Sequence, residues 1–154
     1  MGPQRQPGDR APDFNLQDQD GARAALSDFH GRKLLLYFYP KADTPGCTAQ
    51  ACSVQENLLD LAGLGVDAVG ISPDPPERQK KFARKYKLSF RLLSDPEHRV
   101  AAAYGAWGEK SMYGKTYEGI LRSSFLIGGD GRILRAWYKV SPKDTVPLAR
   151  EALG

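Results

Sequence analysis

The pattern of apolar positions predicts alternating strands and helices over the first two thirds of the chain. The apolar run 33–39 (KLLLYFY) ends at Pro40 and is too short for a buried helix, so it predicts a central strand. Within 44–64, apolar residues recur every three or four positions before two glycines, which predicts one long amphipathic helix. The next predicted elements are a strand over 66–72, a helix over 75–87, a strand over 90–93 and a short helix over 96–104.

The C-terminal third predicts a hairpin and a last helix. Residues 120–127 and 133–138 flank the turn sequence GGDG, which is typical of two antiparallel strands joined tightly. A helix over 143–153 follows. This order of elements predicts an α/β fold in which a mixed central β-sheet is covered by helices on both faces.

Chain length predicts a single domain. The 154 residues allow one well-buried core, so we expect one domain over 1–154. Residues 1–7 are polar and rich in proline and glycine, and we expect them to form a flexible N-terminal segment.

Composition excludes several classes of protein. With 41% hydrophobic and 26% charged residues, the chain has the balance of a folded globular domain. The mean hydropathy is −0.49 and the apolar runs are far shorter than a bilayer span requires. The first ten residues lack the apolar stretch of a secretory signal. We therefore expect a cytoplasmic protein without a membrane partner.

Both cysteines lie in one short segment, the loop and helix start after the predicted central strand. Thr44 can cap the helix and Pro45 suits its first position, so Cys47 falls in the first turn. Free backbone N–H groups and the helix dipole stabilise a thiolate there. A buried cysteine that acts only as a small hydrophobic side chain is the structural alternative.

The spacing of Cys47 and Cys52 is unlike that of a metal site or of a thioredoxin-type pair. In a helix, five residues separate the two Cα atoms by about 8.5 to 9 Å, which exceeds the limit of about 7 Å for a disulfide. If the two residues form a disulfide, the helix must unwind locally. The two histidines, His30 and His98, are isolated from this segment, so no cysteine–histidine pair is predicted.

The chain resembles the peroxiredoxins, and within them the Q subfamily, also called bacterioferritin comigratory proteins. Pro40, Thr44 and Cys47 match the family's active-site motif, and Cys52 follows five residues later. The resemblance continues through 8–14 (GDRAPDF), 104–110 (YGAWGEK), 112–115 (MYGK) and 122–127 (RSSFLI).

This resemblance implies a thioredoxin-like fold and a peroxidase that reduces hydrogen peroxide and organic hydroperoxides. It implies that Cys47 is the peroxidatic thiolate and becomes a sulfenic acid. Cys52 would resolve it as an intramolecular disulfide, and thioredoxin or a similar dithiol would reduce that disulfide. No cofactor or metal is implied, and we expect a monomer rather than a stable oligomer.

The resemblance also implies roles for three further residues. The Thr44 hydroxyl would bond the thiolate and the peroxide. Pro40 would stiffen the loop and shield the site from water. Arg122 would stabilise the thiolate and the negative charge that builds on the leaving oxygen. A strand-edge arginine on the surface is the alternative for Arg122.

One position near the motif departs from the subfamily. Gln50 stands where glutamate is usual, so a negative charge beside Cys47 is missing. Its loss favours the thiolate unless the glutamate serves to orient Arg122, in which case the site is loosened.

Three other functions remain open from the sequence. The chain could be a thiol-disulfide oxidoreductase on the same fold, or a one-cysteine peroxidase with an external resolving thiol. The segment 77–91 carries seven cations and could attract nucleic acid. Because Phe82 and Tyr86 give that segment a buried stripe, a solvated helix face is the interpretation we favour, and no nucleic-acid partner is expected.

Overall fold

The computed structural model describes residues 4–154, and a seven-stranded mixed sheet forms its centre. The strands are β1 (Asn15–Gln17), β2 (Arg23–Ala25), β3 (Lys33–Phe38), β4 (Val66–Ser72), β5 (Arg91–Ser94), β6 (Trp107–Met112), β7 (Lys115–Ile120), β8 (Ser123–Ile127) and β9 (Ile133–Trp137). The helices are α1 (Pro45–Glu56), α2 (Leu58–Gly63), α3 (Pro76–Tyr86), α4 (Arg99–Ala103) and α5 (Thr145–Leu153), with short 3-10 turns at Leu26–Phe29 and Pro142–Asp144.

The sheet has the order β2-β1-β5-β4-β3-β8-β9. Strands β3, β4 and β5 run parallel, and the strands on either side of them pair antiparallel. Strands β6 and β7 form a separate two-stranded hairpin. The predicted mixed sheet is confirmed.

Helices cover both faces of the sheet because β3 is apolar at every second position on each face. Leu34, Leu36 and Phe38 pack on the same side as α4. Tyr37 and Tyr39 point the other way and pack with α1, α3 and α5. The face that carries Tyr37 is also the face on which the cysteines lie.

The predicted long helix over 44–64 is two helices, and this prediction was wrong. The helix is interrupted at Asn57, which lies between α1 and α2. The Asn57 side-chain Nδ2 donates a hydrogen bond to the Ser53 carbonyl at 2.8 Å. An asparagine side chain that bonds a backbone carbonyl competes with the helical pattern. The break leaves Cys47 and Cys52 together in α1.

The predicted strand over 120–127 is also interrupted. Ile120 ends β7 and Ser123 begins β8, so Leu121 and Arg122 connect two different sheets. The short strands β1 and β2 and the hairpin β6–β7 have no counterpart in the predicted elements. Tyr113 and Gly114 join β6 to β7 with φ of 53° and 79°, as a two-residue hairpin turn requires.

Of the expected flexible segment 1–7, residues 1–3 lie outside the described part of the chain. Within it, the Arg5 backbone N–H donates to the Tyr138 hydroxyl at 2.7 Å and its Nε to the Ala103 carbonyl at 2.9 Å. Over residues 4–154, no helix has the length and apolar character needed to cross a bilayer.

The basic segment forms α3 and the strand after it. Phe82 is buried and Tyr86 is half-buried, as predicted. Four of the seven cations are paired with aspartates: Arg78 with Asp74, Lys80 with Asp20, Lys85 with Asp43 and Arg91 with Asp18. This pairing is typical of a solvated helix face.

Candidate active site

The first turn of α1 holds Cys47 at the end of the loop that follows β3. Thr44 occupies the N-cap position and Pro45 the first helical position, as predicted. The Cys47 side chain is 1% exposed and lies in the apolar cluster between α1 and the sheet. Its burial excludes bulk water from the sulfur.

The Thr44 side chain does not cap the helix, contrary to expectation. Its hydroxyl donates instead to the Lys41 carbonyl at 2.8 Å, within the loop. The capping role was a reasonable prediction from residue type, but a threonine hydroxyl can bond any nearby backbone acceptor. The bond closes the loop that carries Cys47.

Arg122 reaches Cys47 because of the register between β3 and β8. Phe38 pairs with Ser123, so Arg122 lies beside the loop after β3. Its Nη2 donates to Cys47 Sγ at 3.3 Å. A guanidinium keeps its positive charge at any physiological pH, so this contact stabilises a thiolate. Among the described side-chain bonds, Arg122 is the donor to this sulfur.

Gln50 orients the guanidinium from the next turn of α1. Arg122 Nη1 donates to Gln50 Oε1 at 2.5 Å, and Gln50 Nε2 donates to Thr145 Oγ1 at 2.8 Å. Gln50 and Thr145 are almost fully buried. A neutral amide therefore holds Arg122 in place, and the positive charge of the guanidinium is not cancelled by this partner.

Gly46 lets the guanidinium approach the helix. A Cβ at this position would lie 3.3 Å from Arg122 Nη2 and 3.4 Å from Pro142 Cγ. The first distance is shorter than ordinary van der Waals contact, and the second is at its lower limit. The glycine next to Cys47 is thus explained by close packing.

Cys52 lies in the same helix, half-buried, and both cysteines are free thiols. Five helical residues place the two Cα atoms about 8.5 to 9 Å apart, beyond the reach of a disulfide of normal geometry. The structure is therefore that of the reduced protein, and a bond between these sulfurs requires α1 to unwind.

The loop between β3 and α1 is fixed to α3 by an acidic residue. Asp43, with φ of 62°, accepts hydrogen bonds from Lys85 Nζ at 3.0 Å and from the Tyr86 hydroxyl at 2.8 Å. These bonds to Tyr86 and Lys85 lower the pKa of Asp43. Pro40 is half-buried at the start of the same loop.

Two buried tyrosines lie beneath the site. Burial raises the pKa of Tyr37 and of Tyr39. The Tyr39 hydroxyl donates to Gln79 Oε1 at 2.5 Å. Neither phenol is charged near neutral pH, and the charged side chain that donates a hydrogen bond to Cys47 Sγ is Arg122.

Sequence reasoning missed two residues of this site. It treated Gln50 as a departure from a family pattern but did not connect it to Thr145, which is 95 positions away. It also gave no role to Lys110, which lies beside Arg122 in a shared pocket. No local pattern marks either residue, since both depend on contacts between distant segments.

A family model described as the AhpC/TSA family matches residues 7–136. Peroxiredoxin Bcp of Escherichia coli strain K12 is 56% identical over 126 residues, which cover 82% of this chain and 81% of that protein. Peroxiredoxin Bcp of Bacillus subtilis strain 168 is 44% identical over 146 residues, which cover 95% and 93%.

Solved structures of the same kind superpose on almost the whole chain. A peroxiredoxin Q structure from Xanthomonas campestris has a TM-score of 0.87 at 31% identity and covers 99% of this chain and 96% of its own. Peroxidoxin BcpB from Mycobacterium tuberculosis has a TM-score of 0.85 at 34% identity and covers 96% of each chain. The thioredoxin-like fold expected from the sequence is thereby confirmed.

Proposed function

This chain belongs to the AhpC/TSA family and is a Bcp-type peroxiredoxin, a thiol peroxidase, and from that premise we propose a catalytic cycle run by Cys47 and Cys52. Its substrates are peroxides and its reductant is of the thioredoxin type. The observation that carries the proposal is the 3.3 Å contact between Arg122 Nη2 and Cys47 Sγ at the start of a helix.

In the first step, the Cys47 thiolate attacks one oxygen of the peroxide. The O–O bond breaks, Cys47 becomes a sulfenic acid, and the second oxygen leaves with the electron pair and takes a proton to become water or an alcohol. Arg122 stabilises the thiolate and the charge on the departing oxygen. Thr44 and Pro40 shape the loop that admits the peroxide.

In the second step, the Cys52 thiol attacks the sulfenic sulfur, a disulfide forms, and water leaves. The helical geometry of α1 holds the two cysteines too far apart for a disulfide, so its first turns must unwind before this attack. A dithiol such as thioredoxin then reduces the disulfide by two exchange reactions and is itself oxidised. Hydrogen peroxide and organic hydroperoxides both fit this cycle, which needs no cofactor or metal.

The cycle closes within one chain, which supports a monomer as the working unit. Both cysteines lie in one helix of one molecule, so no thiol from a second copy is needed. Regeneration by a dithiol requires a reducing compartment, which supports the cytoplasm as its location. Sedimentation of the reduced and oxidised protein tests the first statement, and cell fractionation tests the second.

The experiment that tests the cycle adds one equivalent of hydrogen peroxide to the reduced protein and measures its intact mass and free thiols. We expect the wild type to lose two hydrogens and both thiols, and Cys52→Ser to hold a sulfenic acid that a dimedone probe traps. Cys47→Ser should stay unoxidised and inactive. A sulfenic acid in the wild type that persists without disulfide would instead indicate a one-cysteine cycle with an external thiol.

A further inference from the structure

A pocket of about 370 Å³ lies against Arg122. Its lining consists of one acidic residue, three cations and a few neutral side chains: Glu109, Lys110, Ser111, Leu121, Arg122, Lys139 and Val140. The volume is within the range of pockets that bind small molecules. Arg122 lines this pocket and also contacts Cys47 Sγ, so the pocket and the sulfur share one side chain.

The backbone fixes two segments of the pocket around Arg122. The Val140 N–H donates to the Arg122 carbonyl at 2.9 Å, and Lys139 next to it has φ of 53°. On the other side, the Leu121 N–H donates to the Ala106 carbonyl at 2.7 Å, where the hairpin β6–β7 begins. Lys139 is therefore held beside Arg122 by main-chain bonds.

Lys110 enters the pocket from the hairpin. It pairs with Tyr117 across β6 and β7, and its aliphatic stem crosses Gly119, where a Cβ would come within 3.2 Å of Lys110 Cδ. The missing side chain at Gly119 leaves room for this stem. Lys110 is half-buried, unlike the exposed residues toward the tip of the hairpin.

The pocket has an excess of positive charge. Within residues 4–154, neither Lys110 nor Lys139 forms an ion pair, and the polar side chain that holds Arg122 is the neutral Gln50. The one acidic residue of the lining, Glu109, is exposed to solvent. Burial and the neighbouring Arg122 lower the pKa of Lys110. An anion bound here would relieve the repulsion between these cations.

We propose that this pocket binds the anionic group of an organic hydroperoxide, and that the enzyme prefers a carboxylate-bearing hydroperoxide to a neutral one of the same shape. Lys110 and Lys139 bind the carboxylate, while Leu121 and Val140 contact the hydrocarbon next to it. This inference rests on the catalytic cycle proposed above. An excess of positive charge in a cleft also raises the local concentration of anions, so the preference extends to the rate of association.

The test uses a tertiary alkyl hydroperoxide with a terminal carboxylate, and its methyl ester. The two molecules differ in charge and share the reacting group. We expect kcat/KM of the wild type to favour the acid by about tenfold at low ionic strength, and this ratio to fall as salt is added. Lys110→Met and Lys139→Met should each lower the ratio several-fold.

The matched control is Lys115→Met, at the exposed tip of the same hairpin and outside the pocket. It removes the same charge from the protein and should keep the wild-type ratio. A ratio of about one in the wild type that does not change with salt overturns the proposal. The proposal is also overturned if Lys115→Met lowers the acid-to-ester ratio as much as the pocket variants do. It is overturned as well if the pocket variants change the KM for thioredoxin and leave the KM for the acid unchanged.

A binding measurement separates this inference from the cycle. Cys47→Ser cannot react, so its affinity for the alcohol that corresponds to the acid can be measured by calorimetry. The proposed pocket is supported if the carboxylate alcohol binds more tightly than its ester and if Lys110→Met weakens binding of the carboxylate. This support holds even if the peroxidase cycle fails. Equal binding of the two alcohols overturns it. Failure of the catalytic cycle is detected by a separate measurement, in which the wild type does not turn over hydrogen peroxide.

Discussion

Gln50 Nε2 donates a hydrogen bond to Thr145 Oγ1 at 2.8 Å, and this bond connects the C-terminal helix α5 to the side chains around Cys47. The other end of the same amide accepts from Arg122, which in turn donates to Cys47 Sγ. An amide can donate and accept at once, whereas a carboxylate at this position could only accept. The first residue of α5 is therefore a positioning residue for the guanidinium.

Replacing Thr145 by valine should loosen that arrangement. The change leaves a buried Gln50 donor without its acceptor, which costs about 1–3 kcal/mol of unfolding free energy. Because Gln50 also orients Arg122, kcat/KM for hydrogen peroxide should fall as well. Urea unfolding and a peroxidase assay measure the two effects. Thr145→Ser keeps the hydroxyl and should retain most of both; equal losses in the two variants would contradict the hydrogen-bond explanation.

Gln50→Glu should make the thiolate of Cys47 less favourable. The new carboxylate would pair with Arg122 and offset the charge that now faces the sulfur. We expect Cys47 to react more slowly with iodoacetamide at neutral pH in Gln50→Glu than with Gln50 present, both measured in a Cys52→Ser background. An equal or faster reaction would show that the carboxylate only orients Arg122.

Elements that depend on local pattern could be predicted from the sequence. The apolar runs gave β3 and β4 almost to the residue, because a strand buried on both faces is apolar throughout. The break at Asn57 was missed because a single polar side chain decides it. The polar hairpin β6–β7 buries few of its residues and so lacks an apolar pattern altogether.

The site could be predicted only in part, because local sequence patterns show the residues of one segment but not the contacts between distant segments. Cys47, its position in the first helical turn and the distance to Cys52 follow from local spacing. Arg122 came from family resemblance alone, because the strand register that brings it to the sulfur is a long-range property. Its support by Thr145 and its proximity to Lys110 arise from packing between segments, which no local pattern shows.

Gly46→Ala should displace Arg122 from Cys47. The added methyl group would lie 3.3 Å from Arg122 Nη2, so the guanidinium must move by a few tenths of an ångström, which weakens its bond to Cys47 Sγ and should lower activity. The loss should appear in kcat/KM with a small change in unfolding midpoint. Gly63→Ala is the matched control, since its Cβ in α2 would meet nothing within 4 Å. Equal activity of both variants would contradict the packing explanation.

Asp43 should make stability depend on pH in the acid range. Its pKa in the folded protein lies below the ordinary value of 3.8, so its bonds to Tyr86 and Lys85 stabilise the fold above that value. The contribution is lost as the pH falls through the lower folded value. Asn is tolerated at the positive φ of this position, so Asp43→Asn should be slightly less stable than wild type at neutral pH.

Urea midpoints at a series of pH values measure this contribution. The gap between wild type and Asp43→Asn should be constant near neutral pH and close under acid conditions. The effect should be small because the pair is exposed to solvent. A gap that stays constant down to the most acid pH at which the protein remains folded would assign the difference to the loop geometry instead.

The bonds that hold the last turn of α1 should slow the unwinding that begins at its first turns, and with it the formation of the Cys47–Cys52 disulfide. Gln55 Oε1 accepts from the Ser89 N–H at 2.7 Å and its Nε2 donates to Ser89 Oγ at 2.9 Å, so two bonds hold the helix to the segment before β5. Gln55→Ala removes both with little change in helix propensity. Each bond contributes about 0.5–1.5 kcal/mol, so the loss of both should accelerate disulfide formation about fivefold to 150-fold if both break during unwinding. Quenched-flow counting of free thiols after one equivalent of hydrogen peroxide measures that rate.

Glu56→Ala is the control, since Glu56 is exposed and makes no side-chain bond within residues 4–154. Equal rates in both variants would show that α1 unwinds without releasing its last turn.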